Sequence, residues 1–163
     1  MDEKNLLLLR LLEENSRLSP EELGVMAELS PDEVACRVTA LEEAKIIKSY
    51  NTVIDWERAA NGGVAAIIEI KVNPERDFGY DRIAGRIANF REVKSLRLIT
   101  GVYDLQLHVT GNTMQEVARF VSEYIAPMDR IRETATNIIM KTYKENGQNF
   151  CDKESGERIP YSL

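Results

Sequence analysis

Few side chains in this sequence are placed to do chemistry. Cys36 and Cys151 lie far apart, and His108, the single histidine, sits inside a strand-like run, so no metal-ligand spacing exists and no cofactor is expected. Only Arg37 stands beside Cys36 to lower its pKa, which favours an inert thiol over a redox-sensitive one. His108 lacks a nucleophile or acid near it in sequence, which favours a packed or interface imidazole over a catalytic base. What remains is a turn and a helix face. Gly101-Val102-Tyr103-Asp104 separates two β-rich runs: Gly101 suits a turn position with φ > 0, and Asp104, at the start of the next strand, can accept backbone N–H groups. In the helix that opens at Pro31, Val34, Val38 and Leu41 point inward at i, i+4 and i+7. Asp32, Cys36, Arg37, Thr39 and Ala40 are left facing out, below Ser30 at the cap.

Arg37 is the only base on that face, and the charge around it is acidic. The formal net charge is −6; residues 1–60 hold seven of the 21 Lys/Arg and thirteen of the 27 Asp/Glu, which leaves fourteen of each for the remainder. All the excess acidity falls in the first third, which opposes phosphate binding there, since DNA affinity comes largely from Lys and Arg. The longest apolar stretches are about half what a bilayer requires, and Asp2, Glu3 and Lys4 stand where a signal peptide would be apolar. A cytoplasmic protein with no membrane partner is expected.

Two elements must hold the outward helix face. Leu6 to Leu9 with Leu11 and Leu12 form a strong first helix. Ser19-Pro20-Glu21-Glu22 and Ser30-Pro31-Asp32-Glu33 then repeat one start signal, with Ser at the N-cap, Pro at the first helical position and Glu three residues after Ser, so two capping boxes are expected. The second helix is short, a tight turn near Leu29 follows, and the third runs from 31 to about 44. Spacing alone leaves both a helix-turn-helix and an ordinary three-helix bundle open. Residues 47–54 are expected to be extended and to lead out toward a hinge at Gly62-Gly63.

The hairpin belongs to a second domain. Residues 64–72 are β-rich and apolar on both parities, and Asn73-Pro74 ends them. Tyr80, Ile83, Ala84, Ile87 and Ala88 recur at helical spacing. Strands over 93–100 and 105–110 flank the Gly101 turn, and Thr113 caps a helix with the stripe Val117, Phe120, Val121 and Tyr124. A last strand over about 132–143 completes βαββαβ. The fold class is α+β: a winged or helix-turn-helix domain over 1–60 with an exit strand, a ferredoxin-like domain over 61–146, and a polar tail over 147–163. Apolar residues on both parities of the first strand suggest that a second copy covers the open sheet face, hence a homodimer.

Over roughly residues 2–144 the chain resembles the Lrp/AsnC family. The carrying residues are Asp2 with the leucines to Leu12; Asn15-Ser16-Arg17-Leu18-Ser19; Leu29-Ser30-Pro31, Val34, Arg37, Val38 and Leu41-Glu42-Glu43 with Ile46-Ile47. To these the second domain adds Thr100-Gly101-Val102-Tyr103-Asp104-Leu105-Gln106-Leu107 and Thr134-Ala135-Thr136 through Lys144. The resemblance implies a helix-turn-helix that binds double-stranded operator DNA, with Ser30, Asp32, Cys36, Arg37, Thr39 and Ala40 at the interface. It implies a RAM-type C-terminal domain that forms dimers and higher oligomers such as octamers. It also implies a small-molecule effector, an amino acid, held between subunits near Gly101, Tyr103, Asp104, Thr134 and Thr136. Asp104 then has two roles open to it, holding backbone N–H groups or binding an effector's ammonium, and the threonines are either pocket hydroxyls or ordinary strand residues. Asp129-Arg130-Ile131 stands where many relatives have Pro-Gly-Val. With one histidine and no Arg/His cluster at the hairpin, an enzyme is not expected. The competing expectation is a co-regulator that keeps the fold, binds DNA weakly and acts through mixed oligomers.

Overall fold

The computed structural model describes residues 1–59 and 62–151 and divides into two compact units between Val53 and Ile54. The expected boundary at 60/61 falls on residues outside the described ones, as do residues 152–163 of the expected tail.

The first unit is three helices, α1 Glu3–Glu14, α2 Pro20–Ala27 and α3 Pro31–Glu43. Each begins on a side chain that satisfies a free amide: Asp2 accepts from Asn5 N–H at 2.7 Å, Ser19 from Glu22 at 3.3 Å and Ser30 from Glu33 at 3.2 Å. Ser19 and Glu22 complete a capping box. The second expected box is only half formed, because the Glu33 carboxylate binds Arg37 instead of reaching back to the cap. Leu8, Leu23, Ala27 and Val34 form the core. The turn into α3 depends on Gly24: Glu28 takes a left-handed backbone (φ 54), and the N–H groups of Glu28 and Leu29 both converge on the Gly24 carbonyl. A Cβ on Gly24 would lie 2.7 Å from the Leu29 carbonyl oxygen. No strand forms over residues 47–54, where an exit strand was expected.

In the second unit, β1 Val64–Val72, β2 Val93–Leu98, β3 Leu105–Gly111 and β4 Ile131–Ile138 form an antiparallel sheet in the order β2-β3-β1-β4, with helices α4 Asp81–Ala88 and α5 Met114–Phe120 between strands. This is the expected ferredoxin-like plan. Ile68, Ile70 and Val72 of β1 and Leu105, Leu107 and Val109 of β3 face Ile83, Ile87, Phe120 and Ile125 in one core. The opposite face of β1 begins apolar, with Ala65 and Ile67, but continues with Glu69 and Lys71. In register beside them lie His108, Gln106 and Asn137.

Two departures concern the C-terminal half. α5 runs into a π-turn, Val121–Ile125, where Ala126 N–H bonds Val121 at i−5 (2.8 Å). The extra residue carries Ile125 into the core at 0% exposure and leaves Tyr124, expected in the buried stripe, 52% exposed. The last strand ends at Ile138, and a small hairpin, β5 Lys144–Glu145 with β6 Gln148–Asn149, crosses what was expected to be the start of the tail. Its turn is Asn146-Gly147, both at positive φ (45 and 81); asparagine followed by glycine is the favoured pair for a two-residue hairpin loop, a signal carried by the residue types alone.

Candidate functional site

The outward face of α3 carries Asp32, Cys36, Thr39 and Ala40, all exposed as expected, with the exposed Ser30 at its start. Arg37 is different. Its Nη1 donates to Asp2 at 2.7 Å and Asn5 at 2.9 Å, while Nε and Nη2 donate to Glu33 at 3.0 and 2.8 Å. These hydrogen bonds, first from Asp2 and then from Glu33, raise its pKa; in return Arg37, and after it the Asn5 amide, hold Asp2 below its ordinary value. The only base on the helix therefore joins α1 to α3, and the expectation of a guanidinium presented to a partner is corrected to that extent. A phosphate would have to displace two carboxylates from it. Lys4 is likewise occupied, by the Ala27 carbonyl and by Glu28 at 3.7 Å. Arg10, Arg17, Lys45 and Lys48 of this unit are exposed and have no ion pair among the described residues. Cys36 and Cys151 are free and exposed. His108 is half-buried on the open sheet face, and its Nε2 has no hydrogen-bond partner.

In the hairpin, Gly101 has φ +139, a region that disfavours side chains, yet a Cβ there would meet nothing within 4 Å; the requirement is conformational rather than steric. Val102 is exposed, and its carbonyl accepts from Lys71. Tyr103 is half-buried. Asp104 is the centre of a small network. Its N–H bonds the Ile70 carbonyl (2.9 Å), and its carbonyl takes Ile99 N–H (2.8 Å). Carboxylate Oδ2 accepts from the Val72 amide at 2.8 Å, and Oδ1 from the Tyr80 hydroxyl at 3.3 Å. Desolvation, then the Asp104 charge, raises the Tyr80 phenol above its usual value. Asp104 thus stitches the end of β1 to the turn and to the residue before α4. The first of its two open roles is present in the structure, and each carboxylate oxygen keeps further lone-pair capacity. Tyr80 is a partner that sequence reasoning missed, since nothing local marks it.

Thr134 and Thr136 lie on β4, opposite Ile70 and Ile68; Thr134 is half-buried and Thr136 exposed. Ile70 also pairs with Leu105, so Thr134 and the hairpin end share one level of the sheet, two strand spacings or ~10 Å apart. Thr136 lies two residues farther along. Arg130, just before β4, has φ 76, the left-handed region that glycine tolerates best. Its carbonyl accepts from Asn73 N–H (2.9 Å), and its Nε sits 3.8 Å from Glu75, which also faces Arg82 at 3.5 Å. The side chain is thereby drawn to the β1–α4 loop.

The model of the AsnC-type helix-turn-helix domain matches residues 1–42, and that of the Lrp/AsnC ligand binding domain matches residues 65–149. The chain belongs to the Lrp/AsnC family. An uncharacterised HTH-type transcriptional regulator of Bacillus subtilis, YugG, is 40% identical over 163 residues, covering 99% of this chain and 98% of its own. Among solved structures, a transcriptional regulator of Neisseria meningitidis in complex with L-Met superposes with a TM-score of 0.70 at 26% identity, over 89% of this chain and 93% of that one. LrpC of B. subtilis gives 0.64 at 26%, over 88% and 97%. This Lrp/AsnC protein is a helix-turn-helix transcriptional regulator with a ligand-binding domain, not an enzyme. Among its described residues no helix is long and apolar enough to cross a membrane.

Proposed function

We propose that this regulator acts in the cytoplasm on specific double-stranded operator sequences through α3, and that an amino acid bound between subunits of its C-terminal domain modulates that binding. The observation carrying the first part is the α2–turn–α3 unit: two capped helices joined by a turn in which a Cβ at position 24 would crowd the Leu29 carbonyl, with Ser30, Asp32, Cys36, Thr39 and Ala40 on the free face of the second. Hydroxyl, thiol and methyl groups suit base-edge contacts; phosphate contacts fall to cations outside α3. For the second part, Tyr103 and Asp104 stand beside Gly101, with Thr134 at the same level of the sheet two strand spacings or ~10 Å away and Thr136 two residues farther along β4. A carboxylate with spare lone pairs suits an ammonium, and threonine hydroxyls suit a carboxylate. The L-Met complex of the Neisseria protein supports an amino acid as the ligand class. A homodimer, assembled further into a form such as an octamer, would bring two such ends together.

One observation favours a second reading. With Arg37 held by Asp2 and Glu33, α3 offers DNA no free positive charge, which suits a co-regulator that acts through mixed oligomers with more basic relatives. Fluorescence anisotropy against labelled DNA from upstream of the protein's own gene, at low and moderate salt with and without pooled amino acids, separates the two. Saturable, salt-sensitive binding that shifts with an amino acid is the expected result. A folded oligomer that fails to bind even at low salt supports the co-regulator.

A further inference from the structure

The groove beside the π-turn is used by nothing described so far. Between the α4–β2 loop and α5 lies a depression of about 270 Å³, with Thr110 and Val117 among its lining residues. That is the size of one small molecule rather than of a nucleotide or a peptide. It lies at the far end of β3 from Asp104, seven residues or ~24 Å away at Gly111.

The chemistry of its wall is mixed in a particular way. Phe90, Phe120 and Tyr124 form an aromatic cluster, with Phe90 edge-on to Phe120 (5.3 Å between centroids) and to Tyr124 (5.7 Å), and Phe120 stacked on Tyr124 (6.1 Å, 26°). Phe120 and Tyr124 reach the groove. Around them stand two cations and two acids. Arg91, almost fully exposed, touches Glu92 at 3.1 Å, and Arg119 is 4.0 Å from Glu123; both are loose pairs whose guanidinium groups can change partner. Glu116 accepts from the Asn112 amide and side chain through Oε2 alone.

The π-turn supplies an independent observation. Continued as an α-helix, α5 would bury Tyr124 and expose Ile125. The inserted residue reverses this and sets Tyr124 on the rim of the groove, at the cost of poorer backbone geometry. Ile125 fills the core, while Tyr124 packs through its ring on Phe90 and Phe120 and stays 52% exposed, which leaves its outer part on the groove wall.

We propose that this groove is a second small-molecule site, distinct from the hairpin, that takes a zwitterionic α-amino acid with an apolar or aromatic side chain. Arg91 and Arg119 receive the carboxylate, Glu92 and the free oxygen of Glu116 the ammonium, and Phe120 and Tyr124 the side chain. A lining with equal numbers of both charges disfavours a simple anion or cation.

The test is calorimetric titration of the full chain with L-phenylalanine, L-phenylalaninamide and 3-phenylpropionate, for wild type, Tyr124→Ala, Arg119→Gln and Arg76→Gln. Both groove substitutions are at exposed positions, and far-UV circular dichroism verifies that the variants fold. L-phenylalanine should bind wild type and Arg76→Gln, an exposed arginine outside both candidate sites, alike and lose at least about tenfold in affinity in both groove variants. The two analogues, each lacking one charge, should also bind at least about tenfold more weakly to wild type. Isotherms that are the same for wild type and both groove variants, whether they show binding or none, overturn the site. Equal binding of either analogue overturns the zwitterion.

Discussion

Gly24→Ala isolates what the helix-turn-helix turn requires. In an unconstrained helix interior this change stabilises by ~1 kcal/mol. Here the new Cβ would sit 2.7 Å from the Leu29 carbonyl oxygen, and that carbonyl cannot simply swing away. Its peptide neighbours are pinned by the N–H groups of Glu28 and Leu29 on the Gly24 carbonyl, the latter at 2.9 Å, and by the left-handed Glu28. Relieving the overlap means stretching one or both of those bonds, worth ~1 kcal/mol each, or accepting overpacking of ~1–3 kcal/mol. The clash outweighs the propensity gain, and a net loss of ~1–2 kcal/mol is expected. For a unit whose core is Leu8, Leu23, Ala27 and Val34 that is a large share of the total. Urea unfolding followed by circular dichroism measures it, with Ala35→Gly on the exposed side of α3 as a calibrant expected to cost ~1 kcal/mol. DNA anisotropy on the same samples should weaken in step with the first transition. A Gly24→Ala protein as stable as wild type, or more stable, would refute the turn geometry.

Asp104→Ala strands the buried Val72 amide and should cost ~1–3 kcal/mol in urea unfolding, whether or not an effector is present. In an ultraviolet pH titration the same variant should lower the Tyr80 phenol only part of the way to its ordinary value, because desolvation is the larger cause of its shift. Arg130→Gly should be more stable than Arg130→Ala by ~0.5–1 kcal/mol, the ~1–2 kcal/mol left-handed penalty less the extra entropy of glycine; equal melting temperatures would count against the φ of 76. The Asp2 carboxyl is depressed by Arg37 in the folded state, so its contribution is complete above the ordinary value of 3.8 and is lost as pH falls through the depressed one. Acid titration of the wild type should therefore show a loss below about pH 4 that Asp2→Asn lacks.

Where a boundary rests on local chemistry, the sequence was sufficient. The starts of α2 and α3 follow from Ser-Pro-x-Glu, and β1 matches at both ends because Gly62-Gly63 and Asn73-Pro74 bracket a β-branched run. Failures occur where a side chain or helix turn had two possible arrangements and a tertiary contact chose between them. Glu33 could have closed its own cap, but Arg37, already turned toward Asp2, draws it away. Tyr124 keeps a helical stripe by spacing, yet a π-turn, which needs only one displaced hydrogen bond and leaves no compositional trace, gives its place to Ile125. At the candidate sites, exposure of Asp32, Cys36, Thr39 and Ala40 followed from periodicity, whereas the Tyr80–Asp104 contact spans 24 residues and has no local signature.

The acidic reading head and its occupied arginine set a bound on how DNA affinity can arise. With Arg10, Arg17, Lys45 and Lys48 as the cations of residues 1–53 outside any ion pair, one head neutralises about four phosphates, which gives a salt slope near −3.6 and a loss of only ~150-fold between 50 and 200 mM salt. Two chains acting together double the slope, and the same change in salt then costs ~2 × 10⁴-fold. On the function proposed above, the electrostatic part of one head's hold on DNA is small, and heads joined in one assembly would supply the rest at physiological salt. In that arrangement whatever changes the assembly changes DNA binding, with no need for α3 itself to move. The slope of log affinity against log salt, taken from the anisotropy experiment, thus counts heads: a value near −7 means two engaged together, and one near −3.6 means that each reads alone.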